Sequence, residues 1–401
     1  MAIASVEESD SSAEKIEVKT GAQARISDKA AANEQLASSA SDPSTSKSWF
    51  PSWIPSSMKA LEAAEAVILR AVKQARLEGR FIPVKSGESQ VWTITATRAQ
   101  ETTDARVPLV LVHGFGGGVG LWSQNLDALA AQRPVYAFDL LGFGRSGRPV
   151  FSTDATLLET EWVASIEEWR RALGLPRLIL LGHSLGGFLA AAYALEHPSR
   201  VRHLILVDPW GFPARPPPGE GQVALPTWVR AVARLLSFFN PLSSVRAAGP
   251  WGQQLVRRFR PDLGRRYAVK DGDEASRNAF YDYIYHCNVQ HPSGEIAFKN
   301  MSIPFGWAKR PMIERISKLS PDVPVTFIYG SRSWIDSGPG YEMQHQLRPN
   351  TYVDVRIIRG AGHHVYGDRA EDFNETVLEV CEKVDEETDT VEHQQRTDFH
   401  L

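Results

Sequence analysis

The sequence predicts an α/β protein whose mostly parallel, doubly wound sheet is interrupted by an inserted helical cap. Three observations carry that expectation. Short Val/Ile/Leu runs of strand length recur, among them Leu109 to Val112, Val135 to Asp139, Leu178 to Leu181, His203 to Val207 and Val325 to Tyr329. Between them lie stretches with apolar residues at helical spacing, as a sheet covered on both faces requires. The alternation stops at Pro213 and resumes only near residue 321, as an insertion into one sheet would produce.

Residues 1–47 are rich in Ser, Ala, Asp, Glu and Lys and nearly free of aromatics, so they read as a disordered tail that cannot offset its ordering entropy. Residues 48–78 change abruptly. Trp49, Phe50 and Trp53 crowd beside Pro51 and Pro55, and an amphipathic helix follows from Met58 to Leu77. Residues 79–212 hold the first part of the α/β core: a hairpin through Val91 to Ala96, then strands alternating with helices Leu121 to Ala131, Thr160 to Leu173 and Leu185 to His197. The cap spans 213–320, with an apolar stripe through Trp228, Val229, Val232, Leu235, Leu236, Phe238 and Phe239. The second part of the core covers 321–382, with helix Tyr341 to Leu347, strand Val353 to Ile358 and a last helix from Glu371; residues 383–401 read as a flexible acidic tail.

Bulk properties narrow the function. With 401 residues, 43% of them apolar, the chain can bury a sizeable core, and a net charge of −3 gives no reason to expect nucleic acid. Cys287 and Cys381 match no metal or redox spacing and read as free thiols of a reducing compartment. The start lacks the basic and apolar regions of a signal peptide, and no apolar run approaches the length of a membrane span, so contact with lipid is expected to be peripheral.

Chemistry concentrates at Gly182-His183-Ser184-Leu185-Gly186, between a buried strand and a helix. A serine there sits on a strained turn with Oγ exposed, and the next N–H, from Leu185, points where an oxyanion would form. The loop His113-Gly114-Phe115-Gly116-Gly117-Gly118 follows the strand Pro108 to Val112 and offers a second N–H from Phe115. It lacks the Gly-Lys-Ser/Thr ending of a phosphate loop. The pattern predicts the nucleophile elbow of an α/β-hydrolase fold, with Ser184 as nucleophile.

A serine needs a base and an orienting acid, in chain order Ser, Asp/Glu, His. His363, after the last strand in Gly360-Ala361-Gly362-His363, is the expected base; the neighbouring His364 is the alternative. Asp336, in Ser331-Arg332-Ser333-Trp334-Ile335-Asp336, is the expected acid, with Asp208 at the end of the strand before the cap as the alternative. His183 is expected to pack the elbow.

Three segments carry a closer likeness: GHSLGGFLAAAYALEHPSRVRHLILVDPWGFP from Gly182, SWID ending at Asp336, and GAGHHVYGDRAEDFN from Gly360. They resemble the subfamily of abhydrolase-domain-containing proteins 4 and 5, over about residues 49–380. The resemblance implies a serine hydrolase cleaving lipid esters, of (lyso)phospholipase type on N-acyl-phosphatidylethanolamines or of acylglycerol lipase type. Its alternatives are a lipid-droplet co-activator of a triglyceride lipase and a lysophosphatidic acid acyltransferase. It further implies a cytoplasmic protein held peripherally on lipid droplets or intracellular membranes, with a triglyceride lipase or droplet coat protein as partner. Trp49, Phe50 and Trp53 match the subfamily's lipid anchor, and His363 with Asp368 its acyltransferase-like motif; Asp368 could also cap the following helix. The co-activator branch carries Asn where this chain has Ser184, which favours hydrolysis. No metal or organic cofactor is implied.

Overall fold

The computed structural model describes residues 53–98, 106–216, 242–267, 274–303 and 306–398. Trp49, Phe50 and the apolar cap stripe from Trp228 to Phe239 lie outside them.

An eight-stranded sheet forms the centre: β1 (Ala75–Val84), β2 (Ser89–Arg98), β3 (Leu109–Val112), β4 (Val135–Phe138), β5 (Leu178–His183), β6 (Val201–Val207), β7 (Val325–Gly330) and β8 (Val353–Ile358), in spatial order β1-β2-β4-β3-β5-β6-β7-β8. The first two pairings, β1 with β2 and β2 with β4, are antiparallel, and all others are parallel. Alternate residues of one strand feed opposite cores. Leu178 and Leu180 pack on the face that holds Leu158, Trp162 and Trp169, and Ile179 and Leu181 on the face that holds Leu61, Phe373 and Val377. Both faces are covered, so β5 reads as an unbroken apolar run.

Helices α1 (Met58–Leu69), α2 (Ala155–Ala172) and α3 (Leu185–Glu196) flank the sheet. Their starts are chemically set: Ser57 accepts from the Ala60 N–H at 3.1 Å, and Asp154 from those of Thr156 and Leu157 at 2.9 Å, satisfying donors that the helix itself leaves free. The expected helix Leu121 to Ala131 is instead a 3₁₀ turn, Val119–Trp122, followed by a short helix, Leu126–Leu129. In the cap, α4 (Gly252–Phe259), α5 (Pro261–Arg266), α6 (Glu274–Val289) and α7 (Ser293–Met301) are described.

The acidic end departs from expectation. Helix α8 runs Ala370–Asp398, through residues read from the sequence as a flexible tail. Val384 is buried, Asp385 pairs with Arg133 at 2.6 Å and with Arg106 at 3.5 Å, and Glu387 pairs with Arg202 at 3.5 Å. Basic partners far away in sequence therefore hold the start of that segment against the body.

Candidate active site

The sheet's connectivity prepares a crevice. From β3 the chain steps outward to β4, then crosses to β5 on the other side of β3. Loops leaving the carboxyl ends of β3 and β5 therefore diverge and leave a gap between them.

Ser184 stands at the end of β5 with φ 54° and ψ −117°, a conformation that L side chains rarely adopt. The surroundings impose it. Its N–H donates to Val207 O at 3.0 Å, and its carbonyl accepts from Phe188 and Trp210 N–H groups, both at 3.1 Å. The flanking glycines are required by space: a Cβ on Gly182 would collide with Gly186 O, and one on Gly186 with the Val112 carbonyl oxygen. Leu185 begins α3, so its N–H has no acceptor within the helix. Gly114 lies against the serine, a Cβ there coming within 3.0 Å of Ser184 Cβ, and Phe115 beside it packs on Phe143 and Phe298 at ring distances of 5.7 and 4.6 Å. The Phe115 and Leu185 segments thus flank the hydroxyl.

His363 Nε2 is 3.1 Å from Ser184 Oγ, and His363 Nδ1 is 3.3 Å from Asp208 Oδ2. A carboxylate accepts only, so the imidazole proton belongs on Nδ1 and the Nε2 lone pair faces the serine hydroxyl. Burial, then the positive charges of Arg260 and Arg266, lower the imidazole pKa to about 4. Burial raises Asp208 to about 6, opposed by hydrogen bonds from Ser333 and Gly330. At neutral pH the imidazole is neutral and the carboxylate ionised.

The acid expected from the sequence is corrected here. Asp336 is exposed, and its Oδ1 accepts the Gly338 N–H at 3.0 Å; the carboxylate facing His363 is that of Asp208. The reason lies in strand order. Asp208 directly follows β6, the neighbour of β5, whereas Asp336 lies six residues beyond β7 in a loop that folds on itself. Asp208 also has positive φ, 41°, and its other carboxylate oxygen accepts the Gly330 N–H at 3.1 Å.

Supporting groups fix the imidazole. His183 Nε2 donates to the His363 carbonyl at 2.9 Å, and burial lowers its pKa to about 3, so it stays neutral. This is more than elbow packing. His113 donates from Nδ1 to Gly114 O at 2.7 Å and accepts the Leu140 N–H on Nε2 at 2.9 Å, shaping the glycine loop. Asp368 accepts the Gly362 N–H at 2.7 Å and pairs with the Arg266 guanidinium, so its bonds run back to the His363 loop. Two further side chains, neither expected from the sequence to line the site, join them. Asn288 of α6 donates to Gly116 O at 2.8 Å, and Trp334, 71% exposed, holds its ring 5.0 Å from that of His363. Trp53, 58% exposed, donates its indole N–H to Ala247 O at 3.2 Å and meets Trp251 edge-on at 6.1 Å.

A serine hydroxyl at a strained turn, a neutral imidazole on it and a buried carboxylate behind the imidazole form an arrangement suited to acyl transfer. The family model of the alpha/beta hydrolase fold matches residues 107–370. The chain belongs to the α/β-hydrolase family. Its relatives within the family include the pig 1-acylglycerol-3-phosphate O-acyltransferase ABHD5, 54% identical over 326 residues that make up 81% of this chain and 90% of the relative. The human (lyso)-N-acylphosphatidylethanolamine lipase is 52% identical over 329 residues, 82% of this chain and 93% of that one. Among solved structures, a bacterial membrane phospholipase A, a virulence factor, superposes with TM-score 0.56 at 20% identity, over 90% of this chain and 97% of its own. Carboxylesterase CesB from Bacillus subtilis superposes with TM-score 0.54 at 16% identity, over 80% and 96% of the two chains. These hydrolases share the fold. Among the described residues, no helix is long and apolar enough to cross a membrane.

Proposed function

We propose that this α/β-hydrolase is a serine esterase of lipids, of (lyso)phospholipase type. The observation that carries the reading is the 3.1 Å approach of His363 Nε2 to the hydroxyl of a serine at positive φ. In the first step His363 takes the Ser184 proton as Oγ bonds to the ester carbonyl carbon, and the N–H groups of Leu185 and Phe115 bind the oxyanion. The tetrahedral intermediate collapses, the bond to the alcohol breaks, and the imidazolium gives that alcohol its proton. Water then attacks the acyl-serine through the same cycle and releases a fatty acid. Asp208 holds the imidazole tautomer and balances its transient charge. Asp368 acts by orienting the His363 loop.

The lipid class is supported by the names of the mammalian relatives, one a (lyso)-N-acylphosphatidylethanolamine lipase and one a 1-acylglycerol-3-phosphate O-acyltransferase. Peripheral attachment at a lipid surface is supported by the half-exposed indole of Trp53 beside Trp251, itself 61% exposed. Fluorophosphonate labelling tests the activated serine: the chain labels, and Ser184→Ala does not. An unlabelled native chain would instead favour a regulator of another lipase.

A further inference from the structure

The cap meets the imidazole loop through a ladder of charges. Arg260 stands at the junction of α4 and α5, where Pro261 opens the second helix and fixes the turn. Its Nε and Nη2 donate to the two oxygens of Asp262, each at 3.0 Å. Asp262 Oδ2 also receives Arg266 Nη1 at 2.8 Å, and the Arg266 guanidinium continues to Asp368 and lies 3.4 Å from His364 Nδ1. The two halves of this ladder differ. The Arg266–Asp368 end is largely buried and, through the bond from Asp368 to Gly362, holds the loop that carries His363. The Arg260 side chain is 43% exposed, where an ion pair contributes little to stability.

Fastening the cap therefore leaves Arg260 unexplained, while its donors suggest a use. The bidentate contact with Asp262 occupies one edge of the guanidinium. Nη1, on the other edge, has no hydrogen-bond partner among the described residues. A guanidinium oriented by a carboxylate, with a second edge open, matches the oxygens of a phosphate. The ladder itself ties it to the reacting loop: Asp262 joins Arg260 to Arg266, whose Nη1 lies 3.4 Å from Nδ1 of His364, the neighbour of His363, and after burial the charges of Arg260 and Arg266 lower the His363 pKa.

We propose that Arg260 binds the phosphate of a phosphate-bearing lipid ester and so sets the substrate class of the Ser184 site. The proposal deepens the esterase reading and rests on it. In this geometry Asp262 presents the guanidinium, and Arg266 holds Asp262 in place. The phosphate sits on the Nη1 edge while the acyl ester reaches Ser184. A neutral glyceride has nothing to place there, so Arg260 distinguishes the two classes without taking part in the acyl transfer.

The test compares kcat/KM for 1-oleoyl-lysophosphatidic acid and for mono-olein in the same detergent micelles, with the full chain. In Arg260→Gln the ratio of the two falls about tenfold or more, carried by KM for the phosphate ester, and Arg260→Lys restores part of it. Binding to the Ser184→Ala chain by calorimetry supplies a readout independent of turnover, and there too Arg260→Gln weakens lysophosphatidic acid relative to mono-olein. Equal losses for both lipids, or none, overturn the proposal. Inorganic phosphate and glycerol 3-phosphate separate the sources of the anion: if either competes as well as the lysolipid, the site reads free phosphate and the lipid-headgroup assignment falls. A native chain that turns over neither ester while still binding lysophosphatidic acid through Arg260 sinks the esterase reading alone.

Discussion

Two buried carboxyl groups, Asp208 behind His363 and Glu65 on the inner face of α1, sit in similarly dry surroundings and serve different ends. Burial raises the pKa of both. Asp208 faces an imidazole, a partner that can take up a proton and give it back during turnover. Glu65 faces Arg145, whose guanidinium stays charged: Oε1 accepts from Arg145 Nη1 at 2.9 Å and from Trp92 Nε1 at 3.0 Å, and the guanidinium stacks 3.7 Å over the Trp92 ring. A nearby third carboxylate, Asp139, accepts the backbone N–H groups of Val119 and Arg145, each at 2.7 Å. One buried carboxyl is arranged around a mobile proton and a strained backbone; the other, pushed up to about 8 by burial and then by the charge of Asp139, is arranged around a permanent cation that pins a helix to the sheet. Burial alone thus does not mark a reactive carboxylate; the partner does.

The comparison breaks most sharply at the serine. Ser184→Ala is expected to lower ester turnover by about four orders of magnitude or more, measured at saturating lipid, with thermal unfolding little changed. Next comes the acid. Asp208→Asn should lose about 10²- to 10⁴-fold in kcat/KM, because the imidazole no longer has its tautomer fixed, while Asp336→Asn stays within about threefold. A reversed order in the same assay would return the acid to Asp336.

Glu65 should behave oppositely, losing stability and keeping turnover per folded molecule. Removing one partner of a buried ion pair costs about 3–5 kcal/mol, and Glu65→Leu combined with Arg145→Met should recover much of that in denaturant unfolding. If the single and double variants unfold alike, Glu65 and Arg145 are not coupled. The smallest effect is on pH. Asp208 at about 6 and His363 at about 4 face each other at 3.3 Å and share one acid limb. As pH falls through that window the pair takes up a proton and the base is lost, so kcat/KM declines below about 6 and is flat through neutrality. A limb centred near 7 would mean an imidazole exposed to water.

The differences between sequence and structure have local causes. The Asp336 expectation rested on chain order and a strand end, both of which Asp208 also satisfies; choosing between them requires knowing that β6, rather than β7, lies beside β5. The acidic end looked solvated because its partners Arg133, Arg106 and Arg202 are distant in sequence. Asn288 carries no motif and Trp334 lies in a segment singled out only for Asp336; the packing of cap and loop brings both to the site.

By itself the sequence determined the alternating architecture, the elbow at Ser184 and the imidazole at His363. These are written in local patterns: apolar runs whose period sets a strand or helix, and glycines at positions where a Cβ would strike backbone. Only the tertiary structure decided which carboxylate meets the imidazole, which histidine supports it and where Arg260 stands. Those relations join residues more than a hundred positions apart, and a contact made by a long loop or a neighbouring strand leaves no spacing in the chain to be read.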